Sequence, residues 1–257
     1  MAVASTGHGE AARAIGLWLL RALILTTMAT ERNQTDTHGA ERGLDRFEGF
    51  SDAVFAIALT LLIVEIKVPG SPEGPHGYSD LAKAMAEQWR EFLALLLCYV
   101  VIGAYWLQHH YSGRIYAKTD HWFGALNLVF LLAIVVVPYP IRVWCFHFNT
   151  PFEPTSAISF VAGLAFTACT WMAKWFYGMP GRRVMDERLA ADFLKQMTRR
   201  YGVATAVQIV AVPLAFALPR VAVAIGLLCV AYFLLPQPKP RYKTGQEPSA
   251  DEKADFG

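Results

Sequence analysis

The sequence predicts an all-α, polytopic membrane protein with six transmembrane helices per chain. Three observations carry that prediction. Of its 257 residues, 54% are hydrophobic and 17% charged, against about a quarter charged in a soluble domain. The apolar residues gather into blocks of about 20, the length a bilayer core requires, with short charged stretches between them. None of these blocks alternates polar and apolar residues with period two, as barrel strands would. The same features exclude a secreted disulfide scaffold, a nucleic-acid-binding domain and an ordinary cytosolic enzyme. A net charge of +2 is too small to point to a polyanionic partner. Cys98, Cys145, Cys169 and Cys229 lie far apart and form no CxxC pair, so they read as small apolar residues rather than metal ligands.

The elements follow in order. Residues 1–45 form an N-terminal extension. Within it, Ile15 to Met28 is apolar but broken by Arg21. It fits a signal-peptide core, an interfacial helix, or an over-extended start ahead of a cytosolic terminus beginning at Met28. Residues 46–236 make the six-helix transmembrane domain, with spans at 46–68, 88–110, 121–143, 155–177, 199–218 and 219–236. Pro138 and Pro140 sit where the third span finishes or kinks. Leu218-Pro219-Arg220 reads as a tight turn between the last two spans. Residues 237–257, rich in Pro, Lys and Glu, read as a disordered tail. Six spans put both termini on one side. That side collects sixteen Lys and Arg residues, including Lys174, Arg182, Arg199 and Arg200, against five opposite. Both termini are therefore expected in the cytoplasm.

The first span carries the chemistry. At about 100° per residue, Phe50, Ala53, Ile57, Thr60, Val64 and Lys67 share one helix face, with Leu61 at its edge. Ser51 and Asp52 point roughly 120–140° away from Ile57. An intramembrane carboxylate is costly and faces protein or water, although near a helix start it also suits the positive end of the helix dipole. Arg46 is too distant along the helix to pair with Asp52. Partners on other helices are needed, and His109, His110 and Asn127 are candidates. Thr60 reads most simply as bonding back to its own backbone.

Here the sequence resembles a known family. Arg46-x-x-x-Phe50-Ser51-Asp52, followed by Ala56-Ile57, Thr60 and Leu61, is similar to the signature of the endolysosomal potassium channels, transmembrane protein 175, in their prokaryotic single-repeat branch. Trp106-Leu107-Gln108-His109-His110, Leu126-Asn127-Leu128 and Pro138-Tyr139-Pro140 extend the likeness over residues 42–235. Gln108 stands where the family often has Asn. The resemblance implies a potassium-permeable cation channel, a homotetramer in the lipid bilayer, with the first helix lining a central pore. It implies a constriction at Ile57, a threonine layer at Thr60 and further apolar layers at Leu61 and Val64. Arg46, Phe50, Ser51, Asp52, His109, His110 and Asn127 would form a structural network behind the pore. No cofactor, metal or small-molecule substrate beyond monovalent cations is implied. The sequence contains no TVGYG loop, so dehydration at an apolar neck would replace a carbonyl filter.

Two other classes compete. A proton-coupled transporter or proton leak pathway would use Asp52, Glu65 and the histidines as relays, but neither an internal repeat nor a Gly or Pro in the middle of span one is found. A membrane enzyme lacks support, because HExxH, GxSxG and Walker A motifs are missing. A purely structural membrane protein is opposed only by the span-one motif. Trp106 and Trp171 read as part of an aromatic belt.

Overall fold

The structure, a computed structural model, describes residue 44 and residues 46–248. The three readings of the N-terminal extension and the tail beyond residue 248 lie outside the described residues. No β-strand occurs among the described residues; two isolated bridges are the nearest approach.

Helix α1 (Arg46–Glu65) opens the bundle and tightens to a 3-10 turn over its last residues, Leu62–Glu65. A loop follows, returning through Gly70 at φ +85°, a conformation that costs glycine little. Asp80 caps α2 (Leu81–Glu87), its Oδ1 accepting the Ala82 N–H at 2.9 Å. Gln88 then ties the loop to the next helix by donating from Nε2 to the Lys67 carbonyl at 2.6 Å. Helix α3 (Trp89–Ser112) is followed by α4 (His121–Val136), which Asp120 caps through the Phe123 N–H at 2.8 Å. The third span does not stop at its prolines. Pro138 lacks an N–H, which breaks the ladder, but its fixed φ suits a helix start, so α5 (Pro138–His147) continues the span with a kink. Helix α6 (Glu153–Gly178) follows, then α7 (Ala191–Ala217) and α8 (Pro219–Tyr232).

Five of these spans are long and apolar enough to cross a membrane. The expected sixth, α8, is a shorter apolar helix of 14 residues, ending at Tyr232 rather than 236. The fifth begins at Ala191 instead of 199, so Lys195 is helical rather than in a loop, and Arg199 and Arg200 lie about two turns inside the helix. The turn expected at Leu218-Pro219 is present.

Helix α6 forms the centre, packing on α4, α5, α7 and α8. Of its apolar stretch, 61% is buried, against 17% for α1. Gly163 lets α5 and α6 approach, because a Cβ there would lie 2.7 Å from Pro140 Cγ. Aromatic side chains fill the middle, with Trp175 and Tyr201 edge-to-face at 4.9 Å. At one end of the bundle the 179–190 loop is held by Arg182, whose guanidinium donates to the carbonyls of Glu187 (2.6 Å) and Leu189 (2.7 Å). The tail, expected to be disordered, is placed as far as residue 248. The Ala190 N–H donates to the Arg241 carbonyl and the Lys243 N–H to the Arg188 carbonyl, both at 2.8 Å. Tyr111 donates its hydroxyl to the Pro238 carbonyl. Prolines remove donors from this segment, but the Arg241 carbonyl and the Lys243 N–H pair with the loop before α7, and composition does not register that.

Candidate functional site

The two faces of α1 differ sharply, and they define the candidate site. Its inner face is polar at one level. Ser51 is fully buried. Its hydroxyl donates to the Phe47 carbonyl at 2.9 Å and accepts from Asn127 Nδ2 on α4, also at 2.9 Å. Asn127 Oδ1 in turn accepts from Lys174 Nζ on α6 at 3.2 Å. The same ammonium lies 3.4 Å from His109 Nδ1 on α3. One hydroxyl of α1 is thus bonded to α4 and, through Asn127 and Lys174, connected to α6 and α3.

Lys174, counted with the cytoplasmic charges although it falls within the expected span 155–177, lies inside α6 and is only 1% exposed. What makes that tolerable is its surroundings. The ring centroids of Trp171 (4.5 Å), Phe130 (4.9 Å), Tyr116 and Phe123 (both 5.8 Å) surround the ammonium, and each ring face offers it negative potential. A buried cation needs such compensation, and the Glu48 carboxylate also acts on it.

Asp52 finds a different partner from those expected. Trp106 Nε1 on α3 donates to its Oδ1 at 3.0 Å. Trp106 also stacks on His110 at 5.6 Å. His109 lies against Phe55 of α1 at 5.7 Å. Ser51, Asp52, His109, His110 and Asn127 are therefore brought together, with Trp106 and Lys174 added. Arg46 and Phe50 are exposed and, among the described residues, are not drawn into this cluster. Gln108 turns away from it and donates to the Phe233 carbonyl at 3.2 Å.

The outer face of α1 is apolar and uncovered. Ile57 and Leu61 are each 57% exposed and Val64 61%. Thr60 stands among them, also exposed, and its hydroxyl donates to the Ala56 carbonyl at 2.8 Å. The donor is committed to the helix, which leaves the oxygen lone pairs on the exposed side. Among the described residues, no group of three or more His, Cys, Asp or Glu is placed to hold a metal ion.

Outside the spans, Asp120 fixes the entry to α4. Burial pulls its carboxyl up, but the Phe123 amide, the Tyr177 hydroxyl at 2.9 Å and nearby Arg183 outweigh that and hold it below the usual carboxylate range.

Fold and site together define a multi-pass membrane protein in which one little-buried helix is latched to the bundle through its polar back. The model of the endosomal/lysosomal potassium channel TMEM175 family matches residues 46–138, the portion that contains α1 and its anchor points on α3 and α4. The chain is 31% identical over 197 residues to a potassium channel of Streptomyces collinus, covering 76% of this chain and 94% of that one. It resembles the crystal structure of a lysosomal potassium-selective channel TMEM175 homolog from Chamaesiphon minutus, with a TM-score of 0.64 and 26% identity. That match covers 76% of this chain and 97% of the other. Over 98 residues it is 36% identical to the endosomal/lysosomal proton channel TMEM175 of Gallus gallus, spanning 20% of that protein. The chain belongs to the TMEM175 family.

Proposed function

We propose that the protein is a potassium-permeable cation channel, assembled as a homotetramer in the plasma membrane of a prokaryote with its termini in the cytoplasm, and that α1 lines its pore. The observation that carries this reading is the asymmetry of α1. It is the least buried span, with Ile57, Thr60, Leu61 and Val64 on its uncovered face and its polar residues turned inward. A helix facing only lipid has no use for a polar back bonded to two neighbours. A helix that must present one stripe to a symmetry axis requires it.

In this reading four Ile57 side chains form a dry neck, which gates by dewetting. A cation passing it sheds part of its hydration shell, and potassium does so more cheaply than sodium. The Thr60 oxygens, with their lone pairs outward, replace part of the lost water. No cofactor takes part. Support comes from the bacterial relatives, which are named potassium channels.

A second reading, proton permeation or proton-coupled transport, is favoured by the vertebrate relatives named proton channels and by the buried Lys174–His109 contact. Flux from liposomes containing the purified protein separates the two. A potassium gradient that drives potassium efflux, with sodium much slower, supports the channel. Proton movement alone, with no potassium flux from an intact oligomer, refutes it.

A further inference from the structure

Arg199 and Arg200 sit over a groove rather than in a loop. Gln196, Arg199, Arg200, Val203 and Val207 recur at helical spacing on one face of α7. Together with Ile225, Leu228 and Tyr232 of α8 they line a groove of about 670 Å³. The Arg200 guanidinium lies 4.5 Å from the Tyr232 ring at the end of α8, which places the polar residues at one end of the groove. From Arg200 to Val207 the lining is apolar for about 10 Å, at 1.5 Å per residue. Leu228 is 71% exposed along that stretch.

Two further facts concern charge. Arg200 Nε is buried and has no hydrogen-bond partner among the described residues. The neighbouring cation, Arg241, is already engaged: it pairs with Asp192 at 3.0 Å and donates to Gln196 at 2.7 Å. The nearby carboxylate is thus taken up by Arg241 and does not neutralise Arg199 or Arg200. Two adjacent guanidinium groups above an apolar trough complement a ligand with an anionic head and a hydrocarbon tail.

We propose that this groove binds an anionic phospholipid. Its phosphate meets Arg199 and Arg200, with Arg200 Nε donating to a phosphate oxygen, and one acyl chain lies along Val203, Val207, Ile225 and Leu228. The site lies away from α1 and does not depend on the pore reading.

The test is native mass spectrometry of the full chain released from nanodiscs of mixed phosphatidylglycerol and phosphatidylcholine, compared with three variants. Expected is preferential retention of phosphatidylglycerol, falling to the phosphatidylcholine level in the R199Q/R200M double variant. Met at 200 keeps an aliphatic arm over Tyr232. Val207→Trp, which fills the trough without touching a charge, should also lower retention, and R199Q alone should lower it in part. Glycerophosphoglycerol, the head without chains, should not bind. The proposal is overturned by equal retention of the two lipids, or by retention unchanged in the double variant or in Val207→Trp. It is equally overturned by binding of the chainless head as tight as that of the lipid, or by a structure of the assembly with a second copy of the chain seated in the groove.

Discussion

Because Lys174 is held inside the bundle, Asn127 matters for two reasons of different size. Its amide donates to Ser51 at 2.9 Å, and its carbonyl oxygen accepts from the Lys174 ammonium at 3.2 Å. Asn127→Leu preserves volume and removes both. Hydrogen bonds between helices in membranes average about 0.6 kcal/mol, whereas one to a charged group contributes about 1.5–3 kcal/mol. The variant should therefore cost about 2–4 kcal/mol, most of it from depriving a buried ammonium of an acceptor. In a Lys174→Met background that larger part is already gone, and Asn127→Leu should cost only about 0.6 kcal/mol. The coupling energy from the cycle is then about 1.5–3 kcal/mol. Reversible unfolding of the four proteins in detergent measures it. A coupling below about 0.5 kcal/mol, the usual error of additivity, would refute the reasoning. It would mean that the ammonium reaches solvent along its flexible stem and draws no support from Asn127.

Three further outcomes follow. Ile57→Asn widens and wets the proposed neck, so potassium flux should rise and its preference over sodium fall in a liposome assay; unchanged selectivity removes Ile57 from the constriction. Asp52→Ala removes the acceptor of Trp106, so it should reduce the yield of intact oligomer on size exclusion, and any change of selectivity in what remains would come through the rotation of α1; a wild-type yield of oligomer would count against the anchor. Asp120 is held below its ordinary carboxylate value of 3.8. Its capping contribution is therefore complete at neutral pH, begins to fall as pH drops through 3.8, and is lost below its lowered folded value. Asp120→Ala should lower stability by about 0.5–2 kcal/mol at pH 7 and flatten the acid limb of the stability profile; an identical acid limb in both proteins counts against the cap.

How much of this was legible in the sequence depended on whether the signal was local. Hydropathy placed most spans within a few residues, because bilayer thickness acts on every span alike. The period of α1 put Ile57, Thr60 and Val64 on one face, and Pro138 marked the kink between α4 and α5. Lys174 was misplaced because a cation close to a span end looks the same whether it sits in a cytoplasmic loop or in a cage. Three of the four rings that shelter it, Tyr116, Phe123 and Phe130, lie more than forty residues away, on other segments. A cation flanked by Trp171 and Trp175 was the one available hint. Trp106 read as an interfacial aromatic for the same reason: the Asp52 carboxylate that it serves belongs to another helix. The early start of α7 escaped because hydropathy averages over the window, and the charged residues of Ala191 to Arg200 mask a first part that buries Phe193, Leu194 and Met197.

The proposed pore places two opposed demands on α1. Its outer stripe must be smooth and apolar, with nothing in it to fix the rotation of the helix. Yet a turn of 100°, one residue's worth, would carry Ile57 off the axis and bring a neighbour into its place. The rotation must therefore be set from behind. The contacts of Ser51 and Asp52 do this at two adjacent positions, to different helices, through directional bonds instead of apolar packing that tolerates slippage. Both lie in the first two turns, while Ile57, Thr60, Leu61 and Val64 occupy the remainder. The latch thus precedes the constriction along the helix, and beyond it the back of α1 is held by the apolar packing of Phe55 and Leu62. On this reading, variants at the latch should alter selectivity through the angle of Ile57, and variants along the stripe should do so directly. Weakening the latch with Ser51→Ala should therefore change the selectivity of wild type but have little further effect in an Ile57→Ala protein, where no large side chain is left to misplace. Equal effects in both backgrounds, measured by the same potassium and sodium fluxes, would separate the latch from the constriction.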